Sequence, residues 1–310
     1  MKVLVTGGAG FIGPPSLAVL LQAGHDVVVI DDLSAGTVAS VPAGARLHVA
    51  DVCDADRLEA LLMAERPEVV LHLAALVNVR ESAREPGRYT QVNVKGTENV
   101  LRAAQRAGAR RFIFASSGGA VYGEPDSLPI PETHLLKPIS PYGRAKAAAE
   151  DQLARCDGKM ETVTLRYGNV YGPGQDSSRG NGVVSIFRDS LRQGRRPRVI
   201  GDGGQERDYV FVEDVARANR IAVEANAVGT FNVGTGAGHT VKQVFQMMAA
   251  LLSSHVEPTY QPANPFDVRR SVLDVARART VLGWAATVTL EEGLRLTLRQ
   301  PETAYPHASG

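Results

Sequence analysis

MKVLVTGGAGFIG, residues 1–13, decides the fold. A strand-length apolar run, Lys2 to Thr6, passes straight into Gly7, Gly10 and Gly13, and a helical pattern from Pro15 to Ala23 follows them. Glycines so placed between a strand and a helix have separate tasks. Gly7 permits the tight turn, Gly10 lets a pyrophosphate approach the backbone, and Gly13 allows close packing, while the helix N-terminal amides face the negative charge. An ordinary strand-to-helix turn also carries glycines, so the second signal matters more. It is the acid ending the next strand, in VVVIDDLSAG (27–36), where Asp31 or Asp32 can accept hydrogen bonds from a ribose diol. A carboxylate there repels a 2′-phosphate, which predicts NAD rather than NADP. Pro14 and Pro15 then mark the helix start, because proline is tolerated only in a first turn.

Outward from this stretch, short apolar runs alternate with helical patterns. Asp26 to Ile30, Arg46 to Ala50, Val69 to Leu73, Arg111 to Ser116 and Thr162 to Tyr167 read as strands; Ala55 to Ala64, Val92 to Ala107 and Ala145 to Arg155 read as helices. Strand, helix, strand repeated in this way predicts a parallel sheet covered on both faces, with its binding crevice at the carboxyl ends of the strands. Beyond Tyr167 the character changes. GNVYGPGQDSSRGNG (168–182), GDGGQERD (201–208) and the stretch from Glu257 to Asp267 read as loops able to fold over a ligand, and PETAYPHASG (301–310) as a frayed tail.

Composition excludes several classes. Hydrophobic residues make up 44% and charged residues 22% of the 310, a globular balance. A net charge of +1 lacks the field that a nucleic-acid backbone requires, and no apolar stretch has the length to cross a bilayer. Cys53 and Cys156 are too few for a disulfide framework and lack metal-ligand spacing. With an opening that leaves no room for a leader peptide, they predict a cytoplasmic protein without a metal.

SPYGRAKAAAEDQL (140–153) sets Tyr142 and Lys146 four residues apart, on one face of a helix. An ammonium and a positively charged nicotinamide would favour phenolate, bringing a group of pKa about 10 toward the range of a general base.

With that pair in view, TGGAGFIG (6–13), LHLAA (71–75), VNVKGTENVL (92–101), SSGGAVYG (116–123), SPYGRAK (140–146), LRYGNVYGPGQ (165–175), GDGGQERDYVFVEDV (201–215) and VLGW (281–284) stand in the order seen in one family. The chain resembles the extended short-chain dehydrogenase/reductases, most closely the bacterial and archaeal UDP-glucose 4-epimerases, from about Met1 to Leu298. The resemblance implies an α/β fold: a Rossmann-type doubly wound parallel sheet with a smaller, discontinuous C-terminal substrate-binding domain. It assigns 1–168 with a return near 205–235 to NAD and 169–300 to a nucleotide sugar. It implies a UDP-hexose as substrate and a homodimer formed through the helices of 92–107 and 145–155.

Carried over residue by residue, the resemblance puts Phe11 and Ile12 at the pyrophosphate, Asp31 and Asp32 at the adenosine ribose, and Asp51 and Val52 near adenine. Leu73, Ala74 and Ala75 line the cofactor above Asn93, and Ser34, Gly36, Ser116 and Tyr167 stand beside it. Tyr142 would take the proton of the sugar 4-hydroxyl and Lys146 would hold the nicotinamide ribose. Asn169 and Arg207 match diphosphate contacts, Val183, Val184 and Val199 the uracil side, and Ser271 the wall at the sugar's 2-position, with Phe266 nearby as an alternative wall. For Arg207, an ion pair with Glu206 or Asp208 is the plain alternative.

Two positions depart from the pattern. The family's Ser or Thr three residues before Val-Tyr-Gly is Gly118 here, so Ser117, Ser116 or a water must supply that hydroxyl; an arginine common in the C-terminal part is Asn264, leaving Arg269 to take over the phosphate. A sugar 4,6-dehydratase is disfavoured because its acid and base positions hold Gly119 and Ala120. A UDP-glucuronate 4-epimerase or decarboxylase stays open through Arg179 or Arg80. So does, from another class, a non-catalytic NAD-binding sensor, although such a protein has little reason to keep Tyr142 and Lys146.

Overall fold

The computed structural model describes residues 1–156, 158, 160–179 (at 179 the backbone alone) and 182–299. The expected tail, 301–310, lies outside the described residues. In chain order the strands are β1 (Lys2–Thr6), β2 (Asp26–Asp31), β3 (Arg46–Val49), β4 (Val69–His72), β5 (Arg111–Ser117), β6 (Glu161–Tyr167), β7 (Asn169–Tyr171), β8 (Arg198–Ile200), β9 (Glu206–Phe211), β10 (Gly229–Val233), β11 (Gly238–Thr240), β12 (Thr259–Gln261) and β13 (Arg270–Ser271). Seven of them form one sheet in the order β10-β6-β5-β4-β1-β2-β3. Every pairing in it is parallel.

Period-two alternation sends neighbouring side chains of each strand into different cores. Val3, Val5, Val27, Val29 and Leu71 meet Leu17 and Leu20 of α1 (Gly13–Gln22), and the same layer holds Val215 and Ala218. Leu4, Val28, Val70 and Phe112 meet Leu58 and Leu62 of α2 (Ala55–Glu65) on the other face. Short helices α3 (Val79–Arg84) and α4 (Pro86–Tyr89) lead into α5 (Thr97–Arg106), which joins that second layer through Val100 and Leu101. After α6 (Gly118–Val121), α7 (Pro141–Ala154) completes it with Ala149 and Leu153. Near-continuous Val/Leu/Ile strands are what two covered faces demand, each side chain contributing about 1.5–3 kcal/mol on full burial.

The rest of the chain makes a second core. A four-stranded sheet centres on β9, paired with β11, β13 and β7, and β8 pairs with β12. Helices α8 (Val183–Arg192), α10 (Val241–Leu251) and α12 (Leu290–Arg299) cover it through Phe187, Val244, Met248 and Leu294. Between them, α9 (Val212–Glu224) and β10 return to the first sheet, α9 supplying Val215 and Ala218 to its core, and α11 (Ala276–Val281) packs Ala278 there.

The chain leaves β1 for β2 and β3 on one side and then crosses to β4 on the other. That reversal opens the crevice at the carboxyl ends of β1 and β4. Two sequence readings change. Val92 to Ala107 is not a uniform helix: Thr90–Gly96 is a π-helical turn, and only then does α5 begin. The segments read as loops contain β7, the start of β9, and β12, because partner strands far along the chain satisfy their backbone groups.

Candidate active site

The glycines of the first loop differ in what surrounds them. Gly7 has φ +70°, and a Cβ there would lie 2.5 Å from the Ala74 nitrogen; at Gly13 it would lie 2.1 Å from the Gly8 carbonyl oxygen. At Gly10 a Cβ would meet only the Gly7 oxygen, at 3.4 Å, so this residue faces open space. Gly36 has a packing reason instead, its Cβ position lying 2.0 Å from the Ala9 oxygen. Helix α1 starts at Gly13 with Pro14 and Pro15 in its first turn, as the sequence predicts. The Phe11 and Ile12 amides, the last donors before Gly13 and those prolines, bond to no protein acceptor among the described residues. An open glycine face with such amides at a helix start fits a pyrophosphate.

Asp31 is buried at the end of β2, and its carboxylate accepts from the Ala9 and Leu33 amides at 2.9 and 2.8 Å. Burial raises it above the ordinary carboxylate range. Asp32 is exposed and accepts from the Ser34 amide and hydroxyl at 2.9 and 2.6 Å. Asp31 therefore clamps the glycine loop, and each of its oxygens keeps an acceptor position beyond its one backbone bond. Asp51 caps the Cys53 amide at 2.8 Å, and Val52 packs near Gly96. Leu73, Ala74 and Ala75 run out of β4 half-buried, held by Thr6 at Leu73 and by Asn93, which grips the Leu76 amide and carbonyl at 2.8 Å each.

Ser140 caps α7 by accepting from the Gly143 amide at 3.0 Å, which fixes the turn carrying Tyr142. Tyr142 is 8% exposed, and the nearby Ser117 side chain pulls its pKa down against the effect of burial. Ser116, on the opposite face of β5, donates to Glu150, which in turn pairs with Arg166 inside the protein. Of the two serines considered as substitutes for the missing hydroxyl, Ser117 is the one beside Tyr142, and Ser116 is removed from that role. The family's usual seat is filled: a Cβ at Gly118 would lie 2.8 Å from both Leu273 methyls.

Lys146 donates to the Ala115 carbonyl at 2.7 Å and lies 4.7 Å from the Phe114 ring centre. Burial lowers it to about 7, against the pull of Glu150. Tyr142 moves the other way, raised by burial over the opposing effect of Ser117. Burial thus works against the phenolate expected beside Lys146.

On the nucleotide side, Asn169 begins β7, its Oδ1 lying 3.2 Å from a Cβ placed on Gly119. Arg207 donates to the carbonyls of Glu206, Arg269 and Val268 at 2.9, 3.4 and 2.6 Å. Neither alternative ion pair forms, since Glu206 pairs with Arg270 and Asp208 accepts from Thr235 and Gly236. A desolvated guanidinium held only by carbonyls retains its charge for an anion. Arg269 instead makes two parallel hydrogen bonds to Asp202 at 2.7 and 3.0 Å and is largely exposed. It lines a cavity of about 330 Å³ with Asp202, Gln205, Asn264 and Asp267. Arg80 is exposed, and the side chain of Arg179 lies outside the described residues.

Three further assignments shift. The Val184 and Val199 side chains belong to the second core, so a base can reach only their backbone; Val183, at the start of α8, is half-buried beside them. Tyr167 directs its hydroxyl to Asn219 at 2.6 Å, away from the crevice. Ser271 is buried on β13 in register with Arg207, donating weakly to the Gly118 carbonyl at 3.4 Å. Sequence reasoning missed Ser82, whose hydroxyl accepts from the Tyr142 amide at 3.2 Å, and Tyr89, whose ring stands edge-on to Tyr142 at 6.4 Å. It also missed Glu150, which the spacing Tyr142, Lys146, Glu150 puts on the same helical face.

A family model described as NAD dependent epimerase/dehydratase family matches residues 3–234. The UDP-glucose 4-epimerase of Mycolicibacterium smegmatis is 40% identical over 306 residues, covering 96% of this chain and 97% of the relative. Among solved structures, a UDP-glucose 4-epimerase of Thermotoga maritima with UDP-glucose superposes with a TM-score of 0.93 at 42% identity, covering 96% of this chain and 97% of that one. The Thermus thermophilus UDP-glucose 4-epimerase in complex with NAD gives 0.90 at 39%, covering 96% and 98%.

Proposed function

We infer the function from one premise: this chain belongs to the NAD dependent epimerase/dehydratase family. It is an NAD-dependent nucleotide-sugar 4-epimerase, and the reaction is the interconversion of UDP-glucose and UDP-galactose. The observation that carries this reading is Tyr142 and Lys146 buried one turn apart on α7, with Lys146 bonded to the Ala115 carbonyl near the end of β5.

Tyr142 accepts the proton of the sugar's 4-hydroxyl and later returns it, with Ser117 as the neighbouring hydroxyl that favours the phenolate. When bound, NAD would supply reversible hydride acceptance at sugar C4, and its positive nicotinamide would oppose the burial that raises Tyr142. The Phe11 and Ile12 amides would hold its pyrophosphate, Asp31 its adenosine ribose, and Lys146 its nicotinamide ribose. Inversion at C4 requires both faces of the 4-keto sugar to be offered in turn. The pocket must therefore grip the diphosphate firmly, through Arg207 and Asn169, while leaving the hexose free to turn. Elimination is disfavoured because Gly119 and Ala120 provide neither acid nor base.

In this reading residues 1–168 with α9 and β10 hold NAD, and the remainder to 299 holds the nucleotide sugar. The same reading takes the chain as a homodimer through α5 and α7 in a reducing cytoplasm, where Cys53 and Cys156 stay free thiols. The test is a panel of UDP-galactose, UDP-N-acetylgalactosamine and UDP-glucuronate, with products separated by chromatography. UDP-glucose from UDP-galactose is expected; turnover of UDP-glucuronate alone overturns the assignment.

A further inference from the structure

The switch point of the main sheet carries a group that the proton transfer does not use. His72 ends β4 and is 1% exposed, between the rings of Phe112 and Phe114 at 5.8 and 5.9 Å. Its Nδ1 lies 2.6 Å from the Thr6 hydroxyl at the end of β1, so the contact bridges the two strands that flank the crevice. Its Nε2 lies 3.0 Å from the Thr97 hydroxyl.

The ends of this chain of bonds fix its direction. Thr97 gives its single proton to the Asn93 carbonyl at 2.7 Å, so toward His72 it can only accept. Nε2 must then carry a hydrogen. A neutral imidazole carries only one, so Nδ1 is bare and accepts from Thr6. The Thr6 oxygen remains able to accept from the Ala74 amide, at 3.4 Å. At the far end, Asn93 grips both backbone groups of Leu76. The opposite tautomer would leave two lone pairs facing each other between Nε2 and Thr97. Burial, helped by Lys146, pushes His72 down to about 3, in keeping with a neutral ring.

We propose that His72 is a positioning residue: neutral, with its hydrogen on Nε2, it sets through Thr6 on one side and Thr97 with Asn93 on the other the place of residues 73–76, and so the affinity of the crevice for NAD. The role rests on the reading above, in which that segment lines the cofactor. It acts on no reacting atom.

The experiment combines ring-nitrogen NMR of the full-length chain with NAD titration. The wild type should show the Nε2–H tautomer unchanged from about pH 8 to about pH 5, where a free histidine would protonate. His72→Gln keeps a donor toward Thr97 and should hold NAD close to wild type. His72→Leu should bind it about tenfold more weakly, the scale of one net hydrogen bond. Thr97→Val removes the acceptor at Nε2 and should populate the Nδ1–H form, a change that a merely space-filling ring would not undergo. If the Leu variant does not fold, His72→Gln against Thr97→Val carries the same comparison. An Nδ1–H or doubly protonated ring in the wild type overturns the role alone, as does undiminished NAD affinity in a folded Leu variant. A wild type with the Nε2–H signature and no affinity for NAD overturns the cofactor reading, and the role with it.

Discussion

With the proton transfer assigned to Tyr142 and only its support to Ser117, their deletions should be unequal. Tyr142→Phe is expected to lose about 10²–10⁴-fold in kcat, the range for removing a positioned general base, while Ser117→Ala loses less because the phenol can still reach the sugar. Initial rates on UDP-galactose measure both, and an intact Tyr142→Phe beside a dead Ser117→Ala would refute the assignment. Ser271 is buried beside the Gly118 carbonyl. If it, rather than Phe266, walls the sugar's 2-position, UDP-N-acetylgalactosamine should turn over as well as UDP-galactose. Ser271→Tyr should abolish only the acetylated reaction; a wild type inactive on the acetylated sugar at saturation would make Phe266 the wall. These residues were legible because their motifs are local. Ser82, Tyr89 and Leu273 were not, since each reaches the site from a distant part of the chain through a contact that no spacing encodes.

The first turn of α7 is held by one cap. Ser140→Ala removes the acceptor for the Gly143 amide and should cost about 1 kcal/mol of stability in denaturant unfolding. Because Tyr142 lies inside that turn, kcat should fall as well while the KM for UDP-galactose stays near wild type. A loss of stability with unchanged kcat would show that the Ser82 bond alone suffices to place the tyrosine. Long periodic elements such as α1, α2 and the six strands of the first half follow from their apolar patterns. The π-helical turn of Thr90–Gly96 does not, because it buries Asn93 and Gly96 and leaves Val92 and Val94 half-buried, the reverse of what an apolar pattern foretells. The strands β7, β12 and β13, two or three residues each, are too short for any alternation to register and exist only through their partners.

At the scale of the molecule, a redox cycle that restores its own cofactor gains nothing from releasing it. Purified protein should therefore carry NAD(H), recoverable after denaturation; recovery of NADP instead would remove the role given to Asp31. The parallel sheet was foreseeable from alternating elements, and the return of the chain near 205–235 from the family resemblance; the edge that β10 joins was not, because a five-residue strand says nothing of where it will pair. That return has a consequence for synthesis. As the chain emerges from the ribosome, β6 is available once Tyr167 has appeared, but its outer edge stays bare until residues 229–233 follow it. In the interval the nascent protein shows a row of unpaired amides and carbonyls to its neighbours. A fragment of residues 1–168 should accordingly aggregate when expressed alone, and supplying 169–310 in trans should recover soluble material; a monodisperse fragment would mean that β6 shields its own edge.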